Sequence, residues 1–293
     1  MVPRFIESPM AEEFASLLFG ATGRVVPVNL QIRDPSKIAD AAQYALTVAE
    51  NLRASLQHRG VYLEGKRLLE IGPGSDFGST LILGEPCTSI AVADRFLARW
   101  QDDYHLPLYA EMQRRLGRPS RWLDLVVSRG RYDETLLQIQ EPAHALTSLD
   151  SGTFDVIISN AVLEHAGELQ LAVKEMFRIT SPGGVGLHQV DFRNHRNFDL
   201  PLEHLLLTPE EFPRLSFALN GEVGCQHRLS ELADFFVRAG FRVADISVNS
   251  VAPEPYMADF MPRLRRSRSA YRDWSPTELA KICACLFVVR PAR

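Results

Sequence analysis

Arg67-Leu68-Leu69-Glu70-Ile71-Gly72-Pro73-Gly74-Ser75-Asp76-Phe77-Gly78 is the stretch whose reading decides the fold. Its first five residues read as a buried strand, and the glycines behind them stop the strand in a tight turn. Glycine lets the chain turn sharply and brings backbone N–H groups close to a ligand. A short helix starts after the turn, and its N-terminus favours polar or anionic groups. Dinucleotide-binding enzymes use a similar turn, so the flanking chain must choose between ligands.

Working outward, Ser89 to Asp94, Leu136 to Gln140, Phe154 to Ser159, Val185 to Val190, Phe241 to Val248 and Ile282 to Val289 read as further strands. Helices alternate with them. Leu169 to Thr180 is amphipathic and ends at the breakers Ser181-Pro182-Gly183-Gly184. Ser230 to Ala239 ends at Gly240. Upstream, Asp34 and Pro35 form an N-cap and first turn for Ser36 to His58, whose apolar face carries Ile38, Ala42, Ala45, Val48, Ala49, Leu52 and Leu56 before Gly60 closes it. Thr208-Pro209-Glu210-Glu211 and Ser275-Pro276-Thr277-Glu278 each fit a capping box. This alternation predicts an α/β protein with a Rossmann-like, doubly wound, mostly parallel sheet.

With 293 residues, the chain is longer than such a sheet needs. The excess falls in an N-terminal helical cap, 1–60, and in three stretches of the 61–293 domain: 95–135, 191–229 and 250–278. Ligands bind beyond the carboxyl ends of strands in open α/β sheets. The first two stretches leave such ends, and the third depends on the direction of the sixth strand. All three are expected to elaborate a substrate pocket.

A net charge of −4 gives no global electrostatic argument for a nucleic-acid or membrane partner, and neither is expected. No apolar run is long enough for a membrane span. Met1 to Met10 holds two prolines and no apolar core, unlike a signal peptide, so a cytoplasmic location is expected. Cys87, Cys225, Cys283 and Cys285 make no C-x-x-C pair.

Two carboxylates stand where a nucleoside ligand would need them. Glu70 precedes the first glycine by two residues and could pair with a ligand ammonium. Asp94 ends the second strand, 20 residues after Gly74, where it could accept hydrogen bonds from ribose hydroxyls. The fourth strand separates the candidates. Phe154-Asp155-Val156-Ile157-Ile158-Ser159-Asn160-Ala161-Val162-Leu163-Glu164-His165, followed by Phe177-Arg178-Ile179-Thr180-Ser181-Pro182-Gly183-Gly184, resembles the class I S-adenosylmethionine-dependent methyltransferases. The match departs at Ile179-Thr180-Ser181, and the third glycine is displaced to Gly78.

The resemblance implies a seven-stranded sheet with an antiparallel last strand and S-adenosylmethionine as cofactor. Carried over by position, Glu70, Gly72, Pro73 and Gly74 would hold its methionine end, and Asp94 with Arg95 its ribose. Asn160 or Ala161 would line the sulfonium, and Glu141 and His144 are the candidates beside adenine. Tyr44, on the helix before the first strand, could face the same site. A non-catalytic cofactor-binding scaffold is the rival reading. An NAD-dependent oxidoreductase is disfavoured, because the strand-four signature has no role there.

A hydroxyl acceptor needs a base. His165, His188 and His195 lie near strand ends and are the candidates. The run His188 to His195, with Asp94-Arg95-Phe96-Leu97 and Tyr104-His105, is similar to methyltransferases of glycan and natural-product biosynthesis. That implies a small-molecule or glycan-linked acceptor methylated at oxygen. Arg263, Arg265, Arg266, Arg268 and Arg272 could clamp an anionic acceptor. Glu164 and His165 are adjacent, and His188 and Asp191 could join them in space, but spacing alone establishes no ligand set, so no metal ligands are assigned.

Overall fold

Seven strands form one sheet in the order β3-β2-β1-β4-β5-β7-β6. They are β1 Arg67–Ile71, β2 Ser89–Ala93, β3 Leu137–Ile139, β4 Phe154–Asn160, β5 Thr180–Asp191, β6 Arg242–Val251 and β7 Lys281–Val289. The helices are α1 Ala11–Phe19, α2 Ile38–His58, α3 Gly78–Leu83, α4 Asp102–Leu116, α5 Arg121–Arg129, α6 Leu169–Ile179, α7 Glu211–Ala218, α8 Leu229–Ala239, α9 Glu254–Arg266 and α10 Pro276–Leu279. The computed structural model describes residues 9–19, 33–132, 135–219 and 221–292. Most of Met1 to Met10 lies outside them, as does part of the N-terminal cap.

The strands from β1 to β5 pair in parallel, while β7 runs antiparallel to both β5 and β6. The predicted Rossmann-like sheet with an antiparallel last strand is therefore the observed one. Two reversals leave β6 pointing the same way as β1. The carboxyl ends of the first six strands thus share one edge, and all three added stretches start there.

Side chains alternate across the sheet as the pleat requires. Leu68, Val92, Val156 and Leu187 pack under α2 to α5, whereas Leu69, Ala91, Ile157 and Val288 pack under α6 and α8. Asp34 caps a short 3-10 turn, Pro35–Lys37, that leads into α2, its Oδ1 accepting from Ser36 N at 3.0 Å. Its alanines allow a close approach, since a Cβ on Gly78 would stand 2.9 Å from Ala45 Cβ and 2.5 Å from Met112 Cε. Asp155 ties the starts of two strands, accepting from Arg67 N at 2.9 Å and Arg67 Nη2 at 2.8 Å.

Several expectations are corrected. Ser181-Pro182-Gly183-Gly184 is a bulged beginning of β5, not a gap before it: Phe154 pairs with Thr180, and Val156 then pairs with Val185. The aromatic residues of 95–135 mostly build core. Trp100 stacks on His105, and Tyr109 hydrogen-bonds Tyr132 at 2.7 Å beside Phe77. The stretch 250–278 packs Met257, Phe260, Met261 and Leu264 against Leu202 and Leu205. The capping box at Thr208 and Glu211 forms, with both bonds at 3.3 Å or less. At Ser275 it does not: Glu278 turns to Ser230 N and Lys281 instead. Among the described residues no helix is long and apolar enough to cross a membrane.

No local pattern marks Arg228 as structurally central. It is fully buried and donates to the carbonyls of Phe192 at 2.9 Å, Leu279 at 3.1 Å and Lys281 at 2.7 Å. One guanidinium thereby joins the end of β5, α10 and the start of β7. Removing it leaves three buried carbonyls without this donor. Arg228→Ala is expected to lose about 3–5 kcal/mol of stability, read as a lower urea midpoint, and Arg228→Lys to recover only part of it.

Candidate cofactor and transfer site

A cleft of about 400 Å³ lies beyond the carboxyl ends of β1, β2 and β4. The β1 turn contributes Gly72 and Gly74, and the β2 end contributes Asp94, Arg95 and Phe96. Pro142, Ala143 and His144 follow β3. Asn160, Ala161, Val162 and His165 follow β4, and Tyr44 reaches in from α2. A second cavity of about 510 Å³ shares Tyr44 and Gly74 with the first and adds Pro73, Arg33, Lys37, Asp76 and Tyr104.

Both turn glycines are required. Gly72 has φ +67°, and a Cβ there would lie 2.2 Å from Val162 Cγ2. Gly74 has φ +75°, and a Cβ there would meet nothing within 4 Å, so its backbone is open to a ligand. Such an open backbone beside carboxylates suits a nucleoside with an amino-acid end. Asp94 Oδ1 accepts from Phe96 N at 2.8 Å, and burial raises its pKa. Asn160 Nδ2 donates to the Tyr44 hydroxyl at 3.2 Å, tying α2 to the end of β4. Ala161 adopts φ +53° while its N–H bonds Gln189 O at 3.0 Å. This strained backbone forms part of the cleft wall.

Glu70 lies beneath the turn rather than on the cleft wall. It is 2% exposed and accepts from the hydroxyls of Ser79, at 2.9 Å, and Thr80. Ser79 itself lines the second cavity. Glu141 points away from the cleft, accepting from Thr147 Oγ1 and Ser148 N, while His144 lines it.

The histidines separate as well. His188 is corrected as a base: it is fully buried within β5, stacked on Phe236 and bonded to Ser159 Oγ at 2.9 Å, and it lines neither cavity. Burial lowers its pKa to about 3. His165 is on the cleft wall, with Nδ1 2.8 Å from Gly221 O. Its ring lies 4.7 Å from that of His195. Burial, with His165 second, lowers the His195 pKa to about 4. Glu164, 1% exposed, packs beside them, and burial raises its carboxyl to about 8.

None of the five arginines read as an anion clamp lines either cavity. Arg263 is buried in a two-bond pair with Glu203 at 2.9 and 2.7 Å, and Arg272 pairs with Asp273. Phe96 and Glu222 were missed by the sequence reading. Phe96 sits two residues beyond Asp94 and could have been found from that spacing. Glu222 carries no local signal, because the fold brings it back over the cleft from the stretch after β5.

Glu70 yields a pH prediction. Burial raises its pKa from 4.5 to about 7. The folded protein therefore holds a proton that the unfolded chain releases. Its stabilising share is complete below the unfolded pKa and is lost as pH rises through about 7. The loss is on the order of 3 kcal/mol. Glu70→Gln is expected to gain on the wild type between about pH 5 and about pH 8 in urea unfolding. A constant difference across that range refutes the assignment.

Residues 69–187, from β1 into β5, match the family model Methyltransf_11, a methyltransferase domain. No curated protein matches the chain. Similar solved structures include an S-adenosylmethionine-dependent methyltransferase from Mesorhizobium loti, 12% identical, covering 78% of this chain and 92% of that one, TM-score 0.44. Another is phosphoethanolamine N-methyltransferase 2 of Haemonchus contortus in complex with S-adenosyl-L-methionine, 15% identical, covering 82% and 52%, TM-score 0.45. A third is the cyclase SpnF, 16% identical, covering 97% and 93%, TM-score 0.46. The sheet order and the family match agree: residues 69–187 match a methyltransferase domain and lie on a Rossmann-like seven-stranded sheet, and S-adenosylmethionine is the cofactor to which that match points.

Proposed function

We propose that this protein transfers a methyl group from S-adenosylmethionine to a hydroxyl oxygen of a small-molecule or glycan-linked acceptor. The observation that supports an oxygen acceptor is the ionisable cluster of Glu164, His165 and His195, which meets the cofactor cleft at His165. An amine can attack as the free base, whereas a hydroxyl must lose its proton as it reacts. A cluster of this kind on the wall of the cleft is what a hydroxyl acceptor calls for.

When bound, S-adenosylmethionine supplies an electrophilic methyl on a sulfonium sulfur and leaves as the neutral thioether. The protein's task is chiefly to hold the two reactants in line. In this reading Asp94 receives the ribose hydroxyls, and Gly74 lets the chain pass close to the methionine end. Asn160 and Tyr44 close the cleft from opposite sides. The acceptor enters by the second cavity, which opens at Tyr44 and Gly74. Its wall carries Arg33 and Lys37 beside Asp34, Asp40 and Asp76, and the two cations would take the place of the five arginines between 263 and 272 in any contact with an anionic acceptor. The hydroxyl proton of the acceptor would leave by way of Glu164, His165 and His195. Four free cysteines suit a reducing compartment such as the cytoplasm.

Calorimetry with S-adenosylhomocysteine is expected to give one site per chain, and Asp94→Ala to weaken it by about tenfold or more, roughly 1.4 kcal/mol. Labelled methyl from the cofactor should then enter a product of a cell extract, with mass spectrometry placing it on oxygen. Tight cofactor binding with no transfer into any pool would favour the non-catalytic scaffold, and an N-methyl product would overturn the oxygen assignment.

A further inference from the structure

We propose that Glu164, His165 and His195 hold a divalent transition-metal ion at the edge of the cofactor cleft. One carboxylate oxygen and one nitrogen from each ring all lie within 4.8 Å of one another. Ligands bonded to such an ion at about 2.0–2.2 Å stand roughly 3–4.4 Å apart, so small side-chain rotations close the site.

Each residue already presents a suitable atom. Glu164 Oε1 accepts from Asp191 N at 3.2 Å, while its buried Oε2 makes no hydrogen bond. A buried carboxylate oxygen without a partner is costly, and a cation removes that cost. His195 Nε2 is also buried without a hydrogen bond. His165 meets a backbone carbonyl through Nδ1. A carbonyl only accepts, so Nδ1 carries the hydrogen and Nε2 keeps its lone pair. A ligating histidine is commonly oriented by such a backbone contact.

The surroundings agree with this choice. Asp191 Oδ2 lies 3.8 Å from His195 Nε2 but is engaged by Arg193 at 2.6 Å, so it supports the site from outside. The turn after β4 carries Glu164 and His165, and the segment after β5 carries His195. Two imidazoles and a carboxylate suit zinc, manganese, cobalt or iron better than magnesium or calcium. Three protein ligands leave positions open, and His165 turns them toward the cleft. There the ion would bind an acceptor hydroxyl and ease the loss of its proton to solvent. That role rests on the oxygen-methylation reading, while the binding of the ion does not.

The test uses the untagged full chain after treatment with a chelator. Zinc titrated into it should bind at one ion per chain by calorimetry and raise the melting temperature. Cobalt should give visible absorption bands of a protein-bound ion. His195→Ala and Glu164→Gln should each weaken zinc binding by about 100-fold and abolish the melting shift. His195→Ala should still bind S-adenosylhomocysteine within about threefold of wild type, which shows that the fold survives. Wild-type protein that takes up no stoichiometric ion, or a His195→Ala variant that binds zinc as well as wild type, overturns the proposal. Methyl transfer that persists in chelator without ion uptake refutes the ion and leaves O-methylation standing. Ion uptake without any methyl transfer refutes O-methylation and leaves the ion site standing.

Discussion

The carboxyl ends of β1 and β4 approach so closely that residue 72 can carry no side chain. Val162 Cγ2 would lie 2.2 Å from a Cβ at that position. This contact brings the glycine turn and the segment after β4 into the same cleft. It also requires the chain to reverse directly after β4. Ala161 makes the reversal at positive φ, held by its bond to Gln189 on β5. A short 3-10 turn, Leu163–His165, follows and sets Glu164 inward and His165 on the cleft wall. Backbone strain at one residue thus serves both halves of the site.

Buried charge is handled differently at each place in the molecule. Arg263 and Glu203 neutralise each other below α9, and Arg228 donates to three carbonyls through Nη1 and Nη2 while its Nε makes no hydrogen bond. Glu70 has hydroxyl donors but no cation, and its pKa rises accordingly. Glu164 has still less compensation: one backbone N–H meets one oxygen, and the other oxygen has no hydrogen bond. At Glu164 the missing compensation lies next to His165 on the wall of the cofactor cleft, where a ligand or ion can supply what the protein withholds.

The added chain divides its labour in the same way. Stretches 95–135 and 250–278 mainly extend the hydrophobic core, with Arg95, Phe96 and Tyr104 as the cleft or cavity residues of the first. The stretch 191–229 reaches back to the site, placing Glu222 on the cleft wall and His195 and Gly221 against His165. Gly221, at φ +84°, would carry a Cβ 2.9 Å from His165 O, so this cover lies directly on the turn after β4.

Local patterns carried most of the fold. Apolar strands, the Asp34-capped turn into α2 and the glycine turn are short-range features, and each takes its predicted form within a few residues. The same holds for Gly72, Gly74, Asp94 and Asn160, whose places follow from strand ends. Burial and long-range approach were not legible in this way. Glu70 and Glu141 have suitable chemistry and position, yet hydroxyls and backbone N–H groups nearby in the chain turn them away from the cleft. His188 and His195 look alike as letters near a strand end. The pleat sends one into the core against Phe236, and the chain beyond β5 carries the other to Glu164 and His165. Their difference is one of direction and enclosure, which depends on what the rest of the chain packs against them.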